Sequence, residues 1–317
     1  MGVALPAGAA TAAEPTPGRE GTPTLREVLE AAARGYVDAK AALDRSRKRQ
    51  RQLTGELARI ETRLQEISVE VGAVAATSYR TGRIGVVTAL LSAASPDAFL
   101  ARASAADLIA QRDDAQLREL HAARAAQATA KAAIDREVAT QRRQVAVMKK
   151  RQDDAVRALA EVGGQATGGF VSATSPLAKP APRNPDGSWP RESCIIDDPT
   201  TSGCLTPRTL HALRQAQAVG FRRYVSCFRT GDAYEHPKGR ACDFAAQVGG
   251  FGGHAAGDDR RYGNDLAAFF VRNADRLGVL YVIWYRQIWF PGSGWRAYSG
   301  GGDPASAHTN HVHLSVY

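Results

Sequence analysis

No stretch of this 317-residue chain approaches the run of about 18 apolar residues that a membrane-spanning helix needs, so no membrane span is expected. Cysteine is scarce: there are four, Cys194, Cys204, Cys227 and Cys242, all within the last 125 residues. None stands in a C-x-x-C pair, which argues against a structural zinc knuckle. Aromatic residues are missing around the basic run Arg45-Ser-Arg-Lys-Arg-Gln-Arg51. In a helix those side chains fan over several faces. With nothing to stack on bases, the run reads as a solvated helix face, and nucleic acid is not an expected partner.

Lys and Arg number 41 against 32 Asp and Glu, a net +9. That balance suits anionic partners, among them nucleic acid, acidic lipid and acidic wall polymer, without choosing between them. The N-terminus lacks the charged start of a secretory signal, yet Met1 to Ala13 is small and apolar and contains Ala10-Thr11-Ala12, an A-x-A cleavage signature. Polar, Pro-rich Glu14-Pro-Thr-Pro-Gly18 follows. Residues 1–24 are expected to be a remnant signal peptide and disordered tail, cut short by a start codon placed too late. A secreted, cell-envelope location follows. The alternative is a plain Ala-rich tail. An even cysteine count allows three disulfide pairings. Cys194–Cys204 and Cys227–Cys242 close the shortest loops and are favoured over four reduced, buried thiols.

Apolar residues at Leu53, Leu57, Ile60, Leu64, Ile67, Val71 and Val74 form an uninterrupted a/d heptad seam. A second runs through Ile134, Val138, Val145, Met148, Leu159 and Val162, with Gln141, Gln152 and Ala155 filling its remaining places. Gly82, Gly85 and Pro96 break a single helix, and Ser95-Pro96 reads as an N-cap followed by Pro at the first helical position. The expectation is an all-α antiparallel coiled-coil hairpin over 25–162, with helices near 25–80 and 96–162, the first reaching about 80 Å. The seam is thin, so the hairpin self-associates or awaits a partner. Ile84 to Leu91, with Phe99-Leu100, is too apolar for an open loop and should either pack on the hairpin or dock something.

Residues 163–192 read as a Gly/Pro-rich linker mixing flexible and extended segments. The last stretch, 193–317, is aromatic and Gly-rich. Helices are expected over Thr206–Ala216 and Asn264–Leu277, and strands over Arg223–Phe228, Val279–Trp284 and His311–Val316. Mixed without βαβ regularity, these indicate a small α+β domain.

The chemistry concentrates there. His236-Pro-Lys-Gly-Arg-Ala-Cys-Asp243 is answered by His311-Val-His313. Residues two apart on a strand share a face, so His311 and His313 point into one site. Three imidazoles and a carboxylate suit a catalytic zinc, which needs three protein ligands and an open position.

Phe228-Arg-Thr230, H-x-x-G-x-A-x-D and the terminal H-x-H resemble the zinc D-Ala-D-Ala carboxypeptidase and dipeptidase family, whose site is shared with lysostaphin-type endopeptidases and the hedgehog signalling domain. The resemblance covers 191–317. It implies an antiparallel sheet carrying zinc on His236, Asp243 and His313, Arg229 stabilising the oxyanion, and His311 as a second-shell or transition-state imidazole. The family's dipeptidases have an acidic base three residues before the last ligand, where this chain has Asn310. His311, His308 and Glu235 are the substitutes. Trp284, Trp289 and Trp295 either line a substrate groove or serve as core and rim aromatics.

Tyr79-Arg-Thr-Gly-Arg-Ile84 and Ala89-Leu-Leu-Ser-Ala-Ala-Ser-Pro-Asp-Ala-Phe-Leu100 resemble the coiled-coil modules of secreted peptidoglycan hydrolases and their activators, some of which dock on the FtsEX-type division transporter. The two resemblances together imply a secreted zinc peptidase acting on peptidoglycan stem peptides and localised by its coiled coil. The rival is a non-catalytic wall binder or division-linked activator.

Overall fold

The computed structural model describes residues 24–317 apart from 232 and 299. The signal-peptide reading therefore lies, except for Thr24, outside the described residues. Thr24 opens α1 (Leu25–Leu91) through a capping box: its hydroxyl accepts from the Glu27 N–H, and the Glu27 carboxylate accepts from the Thr24 N–H. Ser95 caps α2 (Pro96–Ala160), its hydroxyl accepting from the Ala98 N–H, with Pro96 at the first helical position.

The two helices run antiparallel. Cross-helix bonds join Ser46 to Glu137, Arg63 to Glu119 and Glu61 to Gln127. Polar Gln141 in the seam is paired, donating to Gln50 Oε1 at 2.7 Å. Every apolar position of the first seam is buried or half-buried. In the second, Val145 and Val162 are exposed.

The expected break at Gly82 and Gly85 does not occur, and α1 continues to Leu91. Each glycine costs a helix about 1 kcal/mol relative to Ala, too little to end a long cooperative one. The turn shrinks to residues 92–95. Val87, Leu91, Phe99 and Leu100 do not pack back on the hairpin but stand exposed at its far end.

Residues 163–192 hold no helix or named strand but are anchored along the second domain. Ala166 bridges to Arg296, and Trp295 Nε1 donates to the Phe170 carbonyl. The Ala178 N–H donates to Asn273 Oδ1. Gly169 (φ +58) lies against Trp295 so closely that a Cβ would overlap the indole.

The second domain begins with the short pair β1 (Ile196–Asp197) and β2 (Cys204–Leu205), then α3 (Pro207–Ala218) capped by Thr206. Six further strands form one antiparallel sheet: β3 (Val225–Ser226), β4 (Ala241–Ala245), β5 (Val279–Trp284), β6 (Gln287–Phe290), β7 (Gly294–Ala297) and β8 (His311–Val316). Their order is β3-β4-β8-β5-β6-β7. The expected 223–228 strand is reduced to β3. The expected 264–277 helix starts earlier, as α4 (Gly257–Arg272), and is interrupted at Asn273 before α5 (Ala274–Leu277). The Asn273 amide donates to the carbonyls of Pro176 and Phe269, trading helix continuity for a hold on the linker. The layout is thus a helical domain followed by an α+β domain.

Strand parity divides the work of the sheet. Phe244, Val282, Trp284, Val312, Leu314 and Val316 face α3 and α4 and build the main core with Leu213, Leu266, Phe269 and Phe270. Residues of opposite parity, with a β-bulge between Val279 and Tyr281, face the other way. On that side Leu280, Tyr281, Ile283, Ile288 and Phe290 join Leu29, Ala32, Ala33, Ala155 and Leu159 from the foot of the hairpin in a second core. Fully burying a Leu contributes roughly 1.5–3 kcal/mol, so Leu29 and Leu159 alone fasten the foot firmly. Arg34–Glu235, Lys40–Asp275 and Tyr317–Asp38 surround it.

Both expected disulfides, Cys194–Cys204 and Cys227–Cys242, are formed, and no cysteine is free. They are consistent with an extracellular protein. No described helix is long and apolar enough to cross a membrane.

Candidate metal centre

Cross-strand register assembles the site. Asp243 in β4 and His313 in β8 are paired residues, and His311 lies two positions before His313 on the same face. His236 arrives on the turn between β3 and β4. Gly239 makes that turn possible: its φ is +65, and a Cβ would meet Cys194 Sγ and the Cys204 carbonyl. The Cys227–Cys242 disulfide ties the start of the turn to its end, and the Cys227 carbonyl accepts from His236 Nδ1–H.

That bond turns His236 Nε2 inward, 3.3 Å from both Asp243 Oδ2 and His313 Nδ1. His313 Nδ1 is 2.7 Å from Asp243 Oδ1. On the far side of its ring, Nε2 lies 2.9 Å from Ser315 Oγ. With Nε2–H donated to that hydroxyl, the Nδ1 lone pair faces the other two donors. All three residues are buried, and their donor atoms lie within 4.8 Å of one another. Tetrahedral ligands about 2.0–2.2 Å from an ion stand about 3.3–3.6 Å apart, so this donor set fits a small metal cation.

The protonation states agree with ligand duty. Burial opposes the charge on Asp243, but the imidazoles of His311, His236 and His313 around it hold its pKa well below the usual carboxylate range. Burial drives His313 well below an ordinary imidazole, against the pull of Asp243. His311 is lowered in the same way. Both shifts favour the neutral ring, the form a ligand or base requires.

Asn310, which stands where an acid was expected, has a different task. Its amide donates to the Gly252 carbonyl, and its Oδ1 accepts from His311 Nδ1–H at 2.7 Å. It therefore fixes the tautomer of His311 and leaves Nε2 facing the site, 3.5 Å from Asp243 Oδ1.

His308 is also present, its ring centroid 4.8 Å from that of His311. Burial, with His311 beside it, pushes its pKa down to about 3. It sits at φ 51, a conformation non-glycine residues adopt rarely, often at functional sites. Glu235 is not a site base. It is buried among Arg34, Arg240 and Lys238 and held below the usual carboxylate range by them, against its burial. Arg229 does reach the site, bonding Asp243 Oδ2 through Nη1.

The three tryptophans do not form a groove here. Trp284 is fully buried, donating to Asn264 Oδ1 and packed on Gly263. Trp295 is buried against Phe170, and Trp289 lines a separate 260 Å³ cavity with Tyr36 and Trp189. Strand parity explains Trp284, which points to the helical side.

Instead, a cleft of 640 Å³ opens beside the centre, lined by Arg229, Asp243, His308 and His311, and also by Tyr234, Phe251 and Tyr298. Gly300, Ala305 and Ser306 add to the lining, and a further wall is the start of α1: Thr24, Leu25 and Arg26. Arg26 donates to the Tyr281 hydroxyl at 3.1 Å, and Tyr281 stacks on His313 at 5.5 Å with its ring within 10° of parallel. Tyr281 also donates to Glu30, at 2.9 Å. Arg26, Glu30 and Tyr281 were not singled out by the sequence, in which nothing local marks them.

A family model described as VldE, C-terminal domain, matches residues 201–311. That stretch takes in Arg229, His236, Asp243 and His311 and ends before His313. No curated protein and no solved structure matches the chain.

Proposed function

We propose that this is a secreted zinc peptidase that cleaves amide bonds in the stem peptides of peptidoglycan. The observation that carries the reading is the convergence of His236 Nε2, Asp243 and His313 Nδ1 on one buried point at the wall of an open cleft. A zinc ion held by them supplies Lewis-acid polarisation and a water of lowered pKa.

The protein's own groups do the rest. His311, neutral and oriented by Asn310, offers Nε2 to take a proton from the attacking water and to pass it to the leaving amine. Arg229 leans toward Asp243 and supports the oxygen that becomes negative as the carbonyl is attacked. Ser315 and Tyr281 hold His313 from behind. Deep burial of the ligands keeps water from competing for them. The hairpin localises the enzyme: Val87, Leu91, Phe99 and Leu100, exposed at its far end, suit a protein partner such as an FtsEX-type division transporter.

Digestion of purified wall by the full chain, followed by mass analysis of the muropeptides, tests the activity, with metal content measured alongside. The wild type is expected to retain about one zinc and to release shortened stem peptides, and Asp243→Ala to do neither. A wild type that holds no zinc defeats the metal reading. Bound zinc with uncut wall favours the wall-binding or activator role.

A further inference from the structure

The hairpin does more than carry the second domain: it completes the cleft. We infer that Arg26, on the first turn of α1, is a specificity-determining residue that holds a free carboxylate on the substrate, in the same cleft as the bond attacked. The inference rests on the peptidase reading for the identity of the ligand as a peptide.

Charge is the first argument. Of the described residues lining the cleft, only Arg26, Arg229 and Asp243 carry charge. Asp243 is committed to His236, His313 and Arg229. A dication on the three ligands makes the cavity still more positive, so an anionic group is the natural occupant.

Pre-organisation is the second. The Arg26 guanidinium lies over the Tyr234 ring, 4.1 Å from its centroid, and one of its ends, Nη2, bonds the Tyr281 hydroxyl. Nη2 is also 3.4 Å from His313 Nε2, which sets Arg26 against a ligand residue. Nε makes no hydrogen bond but lies 3.6 Å from Glu30 Oε1, an ion pair that steadies the guanidinium. A planar fork held this way is suited to a carboxylate, and little side-chain entropy remains to be lost.

The third argument is that the turn is a wall and not a plug. The cleft keeps 640 Å³ with α1 in place, ample for a short peptide. The foot that positions Arg26 shares a buried core with β5 and β6, so it does not swing away as a lid. Arg26 borders the same cleft as Asp243 and His311, so a carboxylate it holds shares the cavity with the bond attacked. In a peptide that describes the C-terminal carboxylate and favours chain ends over internal cross-links.

Calorimetric binding to the zinc-loaded full chain tests this with two probes, a short wall-type peptide ending in D-alanine and its C-terminal amide. The wild type is expected to bind the acid at least about tenfold more tightly than the amide. Arg26→Met is expected to bring the ratio below about threefold and Arg26→Lys to recover part of it, with zinc content and melting temperature recorded for each. Equal binding of acid and amide by the wild type overturns the inference, as does failure to bind either. Full acid preference in a folded, zinc-bearing Arg26→Met does the same. The wild-type pair decides even if the variants do not fold. Acid-selective binding without hydrolysis defeats the peptidase reading alone, whereas hydrolysis of acid and amide with equal KM defeats this inference alone.

Discussion

At its foot the hairpin hides Leu29 and Leu159, at 1% and 0% exposure, while at its far end Leu91 and Leu100 stand 79% and 62% exposed. The same two helices, joined by one seam, thus end in opposite environments. The foot is fastened by a sheet face that also carries Asp243 and His313, two of the candidate donors. The far end has only its sister helix, and a shallow 380 Å³ hollow lined by Leu90, Ala89 and Ile109. Helical periodicity is alike at both ends. What differs is the surface each end meets, which makes the foot a component of the second domain and leaves the far end exposed.

The sharpest way to break that comparison is Leu29→Ala. It is expected to cost about 2–5 kcal/mol, read as a shift of the urea midpoint, and to lower the second domain together with the hairpin in one transition. Two separated transitions would show that the foot merely rests on the sheet.

A smaller effect concerns Glu30, which burial and the neighbouring Glu235 push up to about 7 from an ordinary 4.5. The folded state binds this proton more tightly than the unfolded state. The contribution of Glu30 to stability is therefore full below pH 4.5 and is lost as pH rises through about 7. Glu30→Gln should flatten that slope in melting curves recorded across the window, and an unchanged slope refutes the assignment. The smallest effect is expected at the far end. Leu91→Ser with Leu100→Ser should move stability by less than about 0.5 kcal/mol while weakening capture of any partner that docks there.

Much of this was legible in local pattern. The alternation of His311–Val316 set β8 and its ligand face, and the continuous apolar run of Val279–Trp284 set β5. Cysteine spacing led to both disulfides, and Ser95-Pro96 to the start of α2. The misses share a cause. Gly82 and Gly85 lower helix propensity locally, but a long helix absorbs their cost. Trp284 and Trp295 look like groove aromatics until strand parity and the Phe170 contact place them. Arg26 lies 255 residues from Tyr281 and 287 from His313, and no periodicity relates positions so far apart. Asn310 reads as a missing acid because sequence shows which group stands at a position but not what it holds.

The pairing of Asp243 with His313 across β4 and β8 has a consequence for how this centre can vary. A one-residue slip of either strand would send its ligand to the side occupied by Phe244 and Leu314, so those two donors have an all-or-none placement. His236 is different, since it rides on a turn whose length and bend are free of sheet register. Adjustment of the donor triangle, whether by drift or by design, must therefore come through the segment between Cys227 and Cys242, and the disulfide that closes it limits how far that one adjustable corner can travel.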